Sequence, residues 1–139
     1  MTEFVFESYR LRADAEATRS WYGARPLPWV TCDCAGCRNF VLAVKTLPPA
    51  VTDFFARLGL DLEKPAEVCV DHADQKSCLY GSWYHLIGEL TAGDPLPGHL
   101  CGEWLTLAED VEAAFSPDCY LLPKDFPLPG LQLNLEWRL

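Results

Sequence analysis

The sequence predicts an α+β fold: a mainly antiparallel sheet, open to folding back on itself as a sandwich, with a two-helix insertion after the first strand. Three observations carry this. Near the C-terminal end, Leu131, Leu133, Leu135, Trp137 and Leu139 alternate with Gln132, Asn134, Glu136 and Arg138, the period of a strand with one buried and one wet face. Earlier, Val51, Phe54, Phe55 and Leu58 recur at i, i+3, i+4 and i+7, the stripe of a helix that buries one side. Between them, Cys78 to Leu90 is a long run rich in Tyr, Trp and Ile, which suits a strand.

Taken in order, residues 4–12 read as a first strand, with Val5, Glu7, Tyr9 and Leu11 on one face. Asp14 to Arg19 can make a helical turn. Arg25-Pro-Leu-Pro-Trp29 then forces an extended path, because each Pro fixes φ and disfavours helix just before it. A helix follows over about 35–47. Asp33 is placed to cap it, and Cys37, Phe40, Val41, Val44 and Leu47 share one side. Pro48-Pro49 ends that helix and opens the next, which Gly59 closes. Glu67 to Val70 is a short strand, and 71–77 is a polar connection. Gly81 and Gly88 mark bulges or close approaches in the long strand, and 91–98 is a loop. Residues 103–116 fit helix or strand; strand is favoured, because Glu103 to Leu107 alternates and Val111, Ala113 and Phe115 share a face.

The chain of 139 residues has the size of one domain, spanning 1–139, and can bury enough surface to fold without disulfide or metal. Its net charge is −9, from 20 acidic and 11 basic residues. Such a surface repels phosphate backbones. The densest basic group, Arg10, Arg12, Arg19 and Arg25, is interleaved with Glu3, Glu7, Asp14 and Glu16, so nucleic acid is not an expected partner. No apolar run approaches the ~20 residues that span a bilayer, so no membrane association is expected. Residues 2 and 3 are Thr and Glu, not a basic leader, and a cytoplasmic location is expected. There the seven cysteines would be thiols or metal ligands, and their odd number argues against full pairing.

The most informative stretch is Cys32-Asp-Cys34-Ala-Gly-Cys37, just ahead of a helix. Three readings stay open. Zinc wants four soft ligands in a tetrahedron; Cys34 and Cys37 have the Cys-x-x-Cys spacing, Cys32 can be a third, and Cys69, His72, Cys78 and His85 are candidates for the fourth. Alternatively, Cys34 and Cys37 form a redox dithiol, its thiol pKa lowered by the helix N-terminus. The least demanding reading is that the thiols pack as small apolar groups, as Cys69, Cys101 and Cys119 are expected to do. His85, inside a strand among aromatics, reads as a satisfied structural residue rather than a catalyst, and Tyr80, Trp83 and Tyr84 as core. The acidic run Glu109, Asp110 and Glu112 reads as a solvated face.

At Cys-Asp-Cys-Ala-Gly-Cys-Arg-Asn-Phe (32–40) the chain resembles a family of small uncharacterised bacterial proteins with a Cys-x-Cys-x-x-Cys-Arg-Asn-aromatic segment. The likeness extends through Leu58-Gly-Leu-Asp-Leu-Glu-Lys-Pro65 and into Phe126-Pro-Leu-Pro and Leu-Gln-Leu-Asn-Leu (131–135). It implies a domain of unknown function and transfers no catalytic role. It also implies that Cys32, Cys34, Cys37, Arg38 and Asn39 act as a unit, with Arg38 and Asn39 capping carbonyls or binding a partner's carboxylate. The leading expectation is a non-enzymatic binding or interaction protein with room for a structural zinc at Cys32, Cys34 and Cys37. Its acidic surface would suit a protein partner of basic character. The competing expectation is a thiol-dependent redox enzyme using Cys34 and Cys37.

Overall fold

The N-terminal alternation is broken by a turn. The computed structural model describes residues 1–7, 9–26, 35–71, 79–92 and 103–138. In it, β1 (Thr2–Phe6) and β2 (Tyr9–Ala13) run antiparallel with Phe6 opposite Tyr9, so the single strand expected over 4–12 is a hairpin. Glu7 adopts φ 54, the left-handed conformation that so tight a reversal needs. Neither Gly nor Asn marks the turn, which is why alternation ran through it unbroken.

Among the described residues, three helices stand between β2 and β3. The first, α1 (Ala15–Gly23), extends the expected turn; the Asp14 carboxylate caps it by accepting from the Ala17 amide at 3.0 Å. The other two are the pair anticipated from sequence, α2 (Ala35–Val44) and α3 (Pro49–Arg57). The last expected turn of α2 is tightened, with Thr46 and Leu47 amides donating three residues back to Ala43 and Val44. In α3 the stripe Val51, Phe54 and Phe55 is buried, as is Leu58 just beyond it. Gly59 ends the helix at φ 75, where an added Cβ would stand 2.0 Å from the Ala15 carbonyl oxygen. Only glycine lets the end of α3 lie against the start of α1.

The remaining strands are β3 (Glu67–Asp71), β4 (Leu79–Ala92), β5 (Leu105–Ala108), β6 (Val111–Ser116) and β7 (Gly130–Arg138). The segment 103–116 is thus strand, as favoured, but as two strands reversing at Asp110, φ 60. All pairings are antiparallel, in the order β1-β2-β4-β7-β6-β5, with β3 also on β4. β4 is the hub. One edge pairs with β7 over Leu79 to Ile87; the other is shared, β3 taking Leu79 to Trp83 and β2 taking Gly88 to Ala92. Gly88 is a close approach, since a Cβ there would lie 2.6 Å from the Arg12 carbonyl oxygen, whereas Gly81 has ordinary spacing.

Between those two partners the edge of β4 is bare of strand, and α1 fills the gap with hydroxyls. Tyr22 Oη donates to the His85 carbonyl at 2.7 Å and accepts from the His85 amide at 2.9 Å. Thr18 Oγ1 accepts from the Ile87 amide at 3.0 Å, and the Asp14 amide donates to the Ile87 carbonyl at 2.8 Å. Two side chains and the cap residue therefore take the place of a strand, and the buried backbone groups stay paired.

Period-two alternation gives the sheet two different faces. On the inner face Tyr80, Tyr84 and Leu86 of β4 join Leu133, Leu135 and Trp137 of β7 in the core. Helices cover this face: Phe55 meets Tyr84 edge-on at 4.8 Å, and Phe40 lies 5.4 Å from Trp137. Tyr9 of β2 meets Phe115 of β6 at 5.2 Å, although β4 and β7 lie between them in the sheet. Flat pairing would set those strands ~14 Å apart, so the sheet curls back on itself. On the outer face stand Trp83, His85, Gln132, Asn134 and Glu136. Here the wet face expected of β7 needs correction. Gln132 is buried, because the segment 117–129 crosses over it: Gln132 Oε1 accepts from the Tyr120 amide at 2.7 Å, and Nε2 donates to Asn134 Oδ1 at 2.9 Å.

Candidate functional site

The residues singled out from sequence are only partly placed. Cys32 and Cys34 lie outside the described residues, as does the side chain of Cys37, whose backbone is in the first turn of α2. Arg38 and Asn39 follow on α2 and are exposed, beside the buried Phe40. His72, Cys78, His99 and Cys101 also lie outside the described residues. Cys69, expected to pack or to serve as a fourth ligand, is exposed. It pairs with Gly81, while its neighbours Val68 and Val70 turn to the core that α2 helps cover, so its side chain sits on the opposite face. His85 is on that outer face too, and buried. Among the described residues no group of three His, Cys, Asp or Glu side chains is arranged to hold a metal ion.

The described residues do form a cavity, which the sequence did not announce. Filling the β4 gap with α1 sets Tyr22 beneath the strand edge and carries Trp21 and Arg25 onto the outer face. The connection from α3 to β3 brings Lys64 and Pro65 beside them, β4 contributes His85, and the 117–129 segment closes the far side with Leu121 and Pro123. Together these line a cavity of about 230 Å³ that is open to solvent on one side.

Aromatic packing fixes its walls. Trp21 meets Phe126 edge-on at 5.0 Å, and His85 meets Phe126 at 6.0 Å. The Arg25 guanidinium lies 3.6 Å over the Trp21 ring and is paired with Asp125 at 2.6 Å. Lys64 Nζ donates to the Tyr22 carbonyl at 2.6 Å and stands 3.8 Å from Asp61. At the rim Leu121 holds φ 57 while 63% exposed. That conformation costs a non-glycine residue ~1 kcal/mol. It is held by its neighbour: the Tyr120 carbonyl accepts from Trp83 Nε1 at 3.2 Å, and the Tyr120 amide is bound to Gln132.

His85 is 3% exposed, and its Nε2 has no hydrogen-bond partner among the described residues. The expectation of a satisfied structural histidine therefore holds only in part: hydrogen bonding from the Gln132 side chain and the Tyr120 backbone acts on the ring, while Nε2 itself is left over. Burial pushes its pKa below the ordinary imidazole value, opposed by the Gln132 side chain and the Tyr120 backbone. The ring is therefore neutral at neutral pH, with one donor and one acceptor nitrogen. Tyr22 is different: burial pushes its pKa far up, against its bond to the His85 backbone, and its hydroxyl stays a structural strut. Trp137 Nε1 is also buried without a partner among the described residues, but within the core beneath Tyr80 and away from the cavity. The site escaped sequence reasoning because its walls come from four segments far apart in the chain. No helix among the described residues is long and apolar enough to cross a membrane. Comparison of the chain with protein-family models, with curated proteins and with solved structures finds no match.

Proposed function

We propose that this is a non-enzymatic binding protein whose ligand sits in the cavity beside His85. The observation that carries the reading is the cavity itself, whose wall gathers Trp21, Lys64, His85 and Leu121 from four separate segments of the chain. The wall around it has the ordinary composition of a small-molecule site, mostly apolar and aromatic with a few polar groups. Among the described wall residues none is a carboxylate or a thiol, and the Tyr22 hydroxyl is committed to backbone, which favours recognition over turnover. Titration with indole, followed by the NMR signals of the His85 ring and the Trp21 indole, tests the reading. Saturable shifts confined to this site, and lost when Leu121→Trp adds bulk at the rim, are expected. A flat titration, or shifts spread over the whole chain, would overturn it.

The N-terminal thiols carry their own proposal, a structural zinc held by Cys32, Cys34 and Cys37. Their spacing supports it, as does a helix that begins at Ala35, the residue after Cys34 in the sequence. One zinc per chain, released only when thiols are blocked, is the expected result of metal analysis. A metal-free protein with one fast-reacting thiol would support the alternative, a redox dithiol of Cys34 and Cys37. Arg38 and Asn39, exposed beside that cluster, are where a partner protein's carboxylate would bind.

A further inference from the structure

We propose that the ligand of the His85 cavity is a small organic anion, a carboxylate on a flat apolar body. This rests on the cavity being a ligand site and adds the ligand's charge and shape. The chain carries −9, so an average patch of its surface is acidic. The cavity runs against that: its described wall holds Arg25 and Lys64 and no carboxylate. Each cation has a carboxylate outside the wall, Asp125 on Arg25 and Asp61 near Lys64, so what the cavity offers an anion depends on how far each pair leaves its cation uncommitted.

The two cations differ. Arg25 is committed, paired with Asp125 at 2.6 Å and stacked on Trp21. Lys64 is less so. Its side chain is 14% exposed, its ammonium donates to one carbonyl, and Asp61 at 3.8 Å is beyond hydrogen-bonding distance. An ammonium carries three donors, and the Tyr22 carbonyl uses one of them. A ligand carboxylate in the cavity would take up the remaining donors at close range. Trp21, Pro65, Leu121 and Pro123 supply the apolar wall for the rest of the ligand. The size agrees: a cavity of ~150 Å³ holds benzene, so 230 Å³ admits one ring and its carboxylate.

Calorimetric titration of the full chain with benzoate and with its neutral analogue benzamide tests this. Benzoate should bind one-to-one and at least tenfold more tightly than benzamide. Lys64→Met should lower the benzoate-to-benzamide affinity ratio tenfold or more, while Lys64→Arg keeps most of it. Thermal unfolding checks that each variant is folded; if Lys64→Met is not, the benzoate-to-benzamide ratio of the unaltered chain decides alone. Equal affinities for the two probes, or a folded Lys64→Met that binds benzoate normally, would overturn the anion assignment and leave the cavity standing as a ligand site. Binding of neither probe would overturn the cavity reading itself.

Discussion

On its inner face β4 presents Tyr80, Tyr84 and Leu86 to Phe55 and to the Leu and Trp side chains of β7; on its outer face, one residue out of step, it presents Trp83 and His85 to the 117–129 segment. The inner side is apolar, closed by helices and knit by ring contacts. The outer side is polar in part, closed by a loop, and holds an unpartnered nitrogen, a strained leucine and two cations around a cavity. The same alternation therefore yields close packing on one side and a cavity on the other, although each side keeps one buried ring nitrogen without a partner among the described residues, Trp137 Nε1 inside and His85 Nε2 outside. Regular helices bury a face efficiently, whereas an irregular segment leaves room.

If that division is right, the inner face should dominate stability. Phe55→Ala removes a fully buried ring stacked edge-on against Tyr84 and should cost about 3–5 kcal/mol in urea unfolding. A loss under 1 kcal/mol would break the comparison. Gly59→Ala should come next, at about 2–3 kcal/mol, because the added Cβ meets the Ala15 carbonyl and the left-handed φ is strained besides. If Gly59→Ala is neutral, α1 and α3 are not in the close register the structure gives them.

How far each face could be read in the sequence follows the same division. The α3 stripe, the β3, β4 and β7 strands and the cap at Gly59 were legible, because each is a local pattern whose burial is its whole explanation. The turn at Glu7 was not, since a non-glycine residue carries the positive φ. Nor was the covered state of Gln132, which depends on a loop packing over it. The cavity was the least legible: Trp21, Lys64, His85 and Leu121 share no spacing rule, and they meet only because Thr18 and Tyr22 replace a missing strand on β4. Sequence reasoning went instead to the cysteine cluster, where chemistry is written in adjacent residues.

The joint between the faces can be tested directly. Tyr22→Phe keeps the ring but strips the hydroxyl that serves both the amide and the carbonyl of His85. It should cost about 1–2 kcal/mol, since two buried backbone groups lose a partner. Hydrogen exchange at the His85 amide should accelerate more than at Tyr84. Equal acceleration at both would mean that α1 does not pin the strand locally.

His85 itself should matter less, and in a pH-dependent way. Its folded pKa lies below the unfolded value of about 6.5, so the unfolded chain takes up the proton first as pH falls. The histidine therefore costs nothing by titration above that pH and lowers stability progressively as pH drops through 6.5 toward the depressed value. His85→Phe should be within about 1 kcal/mol of the unaltered chain at pH 7.5, and should gain on it at pH 5.5. A difference that stays constant between those pH values would show that the ring titrates normally.

The smallest effect belongs to the open half of the outer face. Glu136 of β7 lies directly across from Glu112 of β6, and both point away from the core. Burial, then the Glu112 charge, raises the Glu136 carboxyl above its ordinary value. The sign is opposite to that of a salt-bridged carboxylate: the folded chain holds the proton longer, so ionising Glu136 lowers stability as pH rises from about 4.5 through the raised value. Glu136→Gln should thus stabilise the protein at pH 7, by about 0.2–0.5 kcal/mol once solvent screening of this half-exposed pair is allowed for. The gain should vanish at pH 4 and shrink in high salt. A stabilisation that survives in acid would have to come from packing, and the outer face would then be less dependent on charge than the contrast with the inner face requires.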